Sequence, residues 1–226
     1  TNLLNDPGSD FWELEDVLRF LKNIFSLLKV GGTITVSEEI DIEGRVDFYE
    51  QTGALRDIVQ SHLLQLLALT IMDLPQNEDF EEVPKLRLAA LKHLYIPENS
   101  DGELVRGQYE GYKNEVKNKK STIETFVSIP IRSKDPKWAG VPITLNTGKA
   151  LSERYTEICI SYKKDNNNES NKLYLRLQPE EGIRFNMWAK KPGLEHGVSP
   201  HHLGFKFVDH YKILPEAYEK VLFDSF

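Results

Sequence analysis

The sequence predicts an α+β fold: a large, mostly antiparallel β-sheet with helices packed on one face. Three observations predict it. Apolar residues recur at helical spacing in the first third of the chain, and from Ile123 onward they alternate with a period of two. No Gly-x-Gly-x-x-Gly run follows a strand anywhere, which argues against a doubly wound, dinucleotide-binding sheet.

Thr1 to Asp10 is polar, with a turn at Asp6-Pro7-Gly8. Leu14, Val17, Leu18, Phe20, Leu21, Ile24, Phe25 and Leu28 predict a helix over 12–28, capped by Ser9 or Asp10 and stopped by Gly31-Gly32. The β-branched run Thr33 to Glu38 predicts a strand. The chain is organised around 43–72. There Thr52 is the expected N-cap of a helix running from Gly53 to Met72, with Leu55, Ile58, Val59, Leu63, Leu66 and Leu67 facing a core. At 1.5 Å per residue it would be about 30 Å long, enough to cross a domain or a bilayer. Arg56, Asp57 and His62 lie within it, and each charge would cost about 2.5–3.5 kcal/mol at a membrane centre, so a core helix is expected. Pro84 to Tyr95 predicts a second helix, Pro97 to Gly102 a loop, and Lys113 to Lys120 a solvated, mobile stretch.

Strands follow over 123–132, then 138–145 with Pro142 suiting an edge or strand start, then 156–162, 173–177 and 183–187. Lys163 to Ser170 is a polar hairpin loop, and 214–223 is a closing helix with Pro215 in its first turn.

A net charge of −7 argues against a nucleic-acid or anionic-membrane partner. The lone Cys159, between Ile158 and Ile160, fits passive packing in a reducing compartment. No basic-then-apolar leader opens the chain, so the cytoplasm is the expected location. His196, His201 and His202 read as surface loop, and no metal site is expected. His62 falls on the apolar line Ile58, His62, Leu66, which suits a core histidine bonded to a carbonyl. The competing reading is a neutral imidazole held dry as a general base. On an ideal α-helix Asp57 and His62 stand about 140° apart, able to flank a cleft but not to share a ridge.

Gly53-Ala54-Leu55-Arg56-Asp57-Ile58-Val59-Gln60-Ser61-His62-Leu63-Leu64-Gln65 strongly resembles the catalytic-histidine motif of the glucose-6-phosphate dehydrogenase family. Collinear segments add to the resemblance: Glu38 with Glu43-Gly44-Arg45, Arg106-Gly107-Gln108-Tyr109, Trp138 to Pro142 with Thr147 to Leu151, Leu175 to Pro179, Ala189 to Gly193, and Leu214 to Glu219. The resemblance implies the family's C-terminal β+α substrate and dimerisation domain over 31–226. Residues 1–30 would be a remnant of the helix linking it to an absent coenzyme domain, supplied in cis or in trans. It implies His62 as the base that takes the C1 hydroxyl proton of glucose 6-phosphate, with NADP as coenzyme. It also implies Glu38, Asp57, Lys149 and Gln178 as substrate-binding residues, and a homodimer through the sheet. The chain alone is then expected to be inactive. The alternative is a degenerate, non-catalytic assembly module.

Several positions depart from the family pattern. Leu4 to Asp10 stands where the phosphate-binding Asp-His-Tyr-Leu-Gly-Lys-Glu segment is expected, Ser61 replaces an asparagine, and Asn146 replaces an arginine. Arg176 matches part of a second, structural NADP site of some eukaryotic members. Asn146, Tyr155 and Cys159 replace its basic partners, so that site is not expected here.

Overall fold

Among the described residues nine strands, β1 Gly31–Ser37, β2 Leu94–Tyr95, β3 Val105–Gly107, β4 Phe126–Ser133, β5 Ile143–Gly148, β6 Tyr155–Ser161, β7 Lys172–Gln178, β8 Gly182–Lys190 and β9 Val198–Lys206, join in one sheet. The computed structural model describes residues 31–76, 80–100, 102–163, 170–191 and 197–210. The expected helices over 12–28 and 214–223, the turn at Asp6-Pro7-Gly8, the linker over 1–30, His196 and most of the 163–170 loop lie outside the described residues.

The strand order is β2-β4-β5-β1-β6-β7-β8-β9, with β3 also pairing β4. Among the described strands every pairing is antiparallel except β1 with β5, so the antiparallel expectation holds with one exception that matters for the site. Alternation puts Ile34, Val127, Ile129, Ile143, Leu145, Ile158, Ile160, Leu173 and Leu175 on one face, buried against the helices. Each such side chain, fully buried, contributes about 1.5–3 kcal/mol. Glu157, Cys159, Tyr174, Arg176 and Arg184 point to the other face, where burial raises the Cys159 thiol pKa.

The organising helix is not one α-helix starting at a Thr52 cap. Helix α1 spans Val46–Ala54, and Gly53 breaks it at φ 59° and ψ −179°, a region that only glycine occupies readily. The Thr52 hydroxyl donates back to the Phe48 carbonyl at 2.9 Å, so it caps nothing downstream. Leu55–Leu63 then winds as a π-helix, and α2 continues over Leu64–Ile71. The Ser61 hydroxyl donates to the Asp57 carbonyl within this segment. That hydroxyl bond occupies a carbonyl that an ordinary α-ladder would give to a backbone N–H. Pitch corrects the sequence geometry as well: with i→i+5 bonding, His62 stands one turn beyond Asp57 rather than on a distant ridge. Leu63 and Leu67, both essentially fully buried, carry the core face of this element onto β1 and β5.

Four further expectations shift. Helix α3 is Val83–Lys92 and gives way to β2 instead of running to Tyr95. Residues 138–142 are not strand: a turn runs over 136–140, where the Trp138 indole donates to the Ile71 carbonyl at 2.9 Å, and β5 begins only at Ile143. His201 and His202 lie in β9, not in a loop. The lysine-rich stretch is anchored too: helix α4, Tyr112–Glu115, buries Tyr112 beside Tyr49, with ring centroids 6.1 Å apart. The Glu50 carboxylate accepts from Tyr112 at 2.7 Å, Ser121 at 2.6 Å and Asn118 at 3.0 Å, which fastens the excursion to α1.

Candidate functional site

The parallel pair builds the site's floor. Because β1 and β5 run the same way with Ser37 opposite Gly148, the residues that follow them, Glu38 and Lys149, emerge side by side. The Glu38 N–H donates to the Gly148 carbonyl at 3.0 Å, and the Lys149 ammonium donates to Glu38 Oε2 at 2.8 Å. The Lys149 side chain is 2% exposed and that of Glu38 is 22% exposed, so the pair has one dry end and one end open to the cleft. The Lys149 Nζ also sits 5.6 Å from the centroid of the Tyr49 ring, a cation–π contact. Burial first, then the Asp57 and Glu38 carboxylates, raise the Tyr49 phenol pKa far above its ordinary value. The phenol, buried within α1, therefore stays neutral.

Above this floor opens a cleft of about 450 Å³ between the π-helical segment and the ends of β1, β6 and β7. Glu38, His62 and Gln178 line it, together with Ser61, Gln65, Arg154 and Thr156, over apolar Ile58, Leu66 and Leu177. His62 is exposed here, so the core-histidine reading and the dry-base reading both give way to a cleft-wall imidazole open to solvent. Asp57 is half-buried on the Tyr49 side and does not line the cleft. The structure thus brings Glu38, His62, Lys149 and Gln178 to one place and sets Asp57 one helical turn behind His62.

Arg154 was missed by sequence reasoning. It lies in the short connection between Lys149 and β6, where spacing carries no periodic signal, and it supplies an exposed cation to the cleft. Another depression, of about 300 Å³, lies on the opposite sheet face between Glu157, Tyr174, Arg176 and Arg184; it contains none of the five candidate residues. No cluster that could hold a metal ion occurs among the described residues.

A family model described as "Glucose-6-phosphate dehydrogenase, C-terminal domain" matches residues 27–226. The chain belongs to the glucose-6-phosphate dehydrogenase family. It is 36% identical over 215 residues to a glucose-6-phosphate 1-dehydrogenase of Borreliella burgdorferi, covering 85% of this chain and 45% of that protein. It is 35% identical over 213 residues to that of Mycolicibacterium smegmatis, covering 84% of this chain and 43% of that protein. A solved structure described as glucose-6-phosphate dehydrogenase in complex with its substrate glucose-6-phosphate superposes with a TM-score of 0.82 at 28% identity, over 94% of this chain and 49% of that one. The enzyme from Mycobacterium avium gives a TM-score of 0.75 at 30% identity, over 86% and 45%. The chain therefore spans about half the length of the relatives it matches, and its fold is that of the family's C-terminal domain. No helix among the described residues is long and apolar enough to cross a membrane.

Proposed function

We propose that residues 31–226 are the substrate-binding and dimerisation domain of a cytoplasmic, NADP-dependent glucose-6-phosphate dehydrogenase. The observation that carries the reading is the convergence of Glu38, His62 and Gln178 on one cleft of a size suited to a phosphorylated hexose, with Lys149 buried behind Glu38 and paired to it.

In this reading His62 takes the proton from the C1 hydroxyl of β-D-glucose 6-phosphate. As hydride departs from C1, negative charge builds on O1, and a base within hydrogen-bond reach lowers that cost. Solvent access to His62 gives the proton a route out between turnovers. Glu38 and Gln178 accept from sugar hydroxyls and Arg154 supplies positive charge toward the anionic substrate, while Lys149 holds Glu38 from beneath and Asp57 stands one turn behind His62. Ile58, Leu66 and Leu177 give the sugar ring a dry wall. NADP supplies the hydride acceptor. Among the described residues no glycine-rich turn opens a helix after a strand, so its main site belongs to a coenzyme domain joined in cis or in trans. The half-exposed sheet face carrying Glu157, Arg176 and Arg184 is the surface through which two copies pair.

Calorimetric titration with glucose 6-phosphate tests this, with His62→Ala alongside. The reading expects a Kd between about 1 µM and a few millimolar, roughly −8 to −4 kcal/mol, weakened in the variant. No heat from the unaltered chain would refute a complete sugar site. A dimer by sedimentation in that case would leave the assembly-module reading in its place.

A further inference from the structure

The site needs two bodies held in register: the helix carrying Asp57 and His62, and the strand ends carrying Glu38 and Lys149. One short segment touches both. The Glu124 carbonyl accepts the Ala54 N–H at 3.0 Å, and its side-chain Oε1 accepts the Leu55 N–H at 3.1 Å. Its Oε2 accepts from the Arg106 guanidinium at 2.7 Å. The next residue, Thr125, accepts the Lys149 N–H on its carbonyl at 2.9 Å. Thr125 is itself held twice, donating its N–H to Gly107 and accepting the Tyr109 N–H on its hydroxyl, both at 2.8 Å.

A helix start has unpaired N–H groups and positive partial charge, and a neighbouring Ser, Thr or Asp ordinarily satisfies them. Here the local candidate fails, because the Thr52 hydroxyl is turned back to Phe48 and Gly53 leaves the helical region. A carboxylate far along the chain takes its place. It fits only because residue 53 is glycine: a Cβ there would stand 2.5 Å from Glu124 Oε1.

We propose that Glu124 is a positioning residue, clamped between the Leu55 N–H and the Arg106 guanidinium so that the helix bearing Asp57 and His62 starts at a fixed offset from Lys149. The roles of those three residues rest on the function proposed above; the clamp itself does not.

The clamp has a specific chemical weakness. Both oxygens of Glu124 face donors, whereas glutamine has one oxygen and one NH2 group, so Glu124→Gln sets two donors against each other in either orientation. Arg106→Met removes the exposed donor of the two. Glu124→Gln combined with Arg106→Met then lets the amide oxygen turn to Leu55. Hydrogen exchange reads the clamp without ligand. Glu124→Gln is expected to lose about tenfold or more in protection at Ala54 to Val59, with β6 and β7 unchanged, and the double variant to return within about threefold. Glucose 6-phosphate titration, run where every variant is folded, should show the same loss and rescue. Unchanged protection at Ala54–Val59, a loss spread evenly over the sheet, or a double variant no better than Glu124→Gln would each overturn the proposal. Failure of the unaltered chain to bind the sugar phosphate would instead overturn the functional reading, and exchange would still decide the clamp.

Discussion

Gly53→Ala tests the break in the organising helix directly. Two costs add. The backbone at φ 59°, ψ −179° lies where side chains are strained, which costs about 1–3 kcal/mol. The new Cβ would also meet Glu124 Oε1 at 2.5 Å, its Cδ at 2.9 Å and Ile123 Cγ2 at 3.2 Å. Glu124 is 5% exposed and bonded on both oxygens, so it cannot swing away without losing the Leu55 or the Arg106 bond, a further cost of about 1–3 kcal/mol. The central expectation is about 3–5 kcal/mol, a Tm fall of about 6–20 °C for a chain of this size. Gly44→Ala is the reference, because Gly44 has φ +72° but nothing within 4 Å of an added Cβ. It should cost about 1 kcal/mol, from backbone strain alone. Thermal and denaturant unfolding of both variants supply the comparison. If Gly53→Ala costs no more than Gly44→Ala, the steric argument fails, and with it the idea that Glu124 occupies a fixed place.

Three other perturbations separate the parts of the site. The Tyr49 hydroxyl is buried with no hydrogen-bond partner among the described residues, so Tyr49→Phe should raise stability by about 1 kcal/mol in thermal melts; a loss of that size would refute this. In the Glu38–Lys149 pair the order of damage follows exposure. Glu38→Ala strands a 2% exposed ammonium and should cost about 3–5 kcal/mol, whereas Lys149→Met leaves a carboxylate that water reaches and should cost about 1–3 kcal/mol. The reverse order in denaturant titrations would rule out the dry-end, wet-end description. Burial pushes the Glu50 carboxyl up, but its bonds from Ser121, Tyr112 and Asn118 outweigh this and leave its pKa below the ordinary 4.5. The folded value lies under the unfolded one, so its stabilisation is present above pH 4.5 and fades as pH falls through the folded value. Glu50→Gln should therefore destabilise by about 1 kcal/mol at pH 7, and the gap from the unaltered chain should narrow below pH 4.5. A gap that stays constant across that range would show that the bonds do not depend on the charge.

What was legible in the sequence is what local chemistry decides. Period-two runs in 156–162 and 173–177 became β6 and β7 because one face of the sheet is dry there and the other is not, which imprints alternation on these strands. The apolar ridge through Ile58, Leu63 and Leu67 survived for the same reason. The motif resemblance supplied residues that periodicity could not: nothing in the spacing of Glu38 and Lys149 shows that two strand ends meet, since their adjacency comes from the parallel β1–β5 register. Two of the errors concern the same helix. Thr52 had the right chemistry to cap a helix and was passed over because Glu124, far along the chain, offers a charged acceptor to the same N–H groups. The 140° separation of Asp57 and His62 assumed α-pitch, and the π-winding that joins them by one turn was invisible to a pattern built on 3.6 residues. Both errors fall at the start of the helix that carries the proposed base. There the local signal for a cap is overruled by contacts made from 106 and 124, the Ser61 hydroxyl takes the Asp57 carbonyl from the α-ladder, and the contacts from 124 set where His62 stands relative to Lys149.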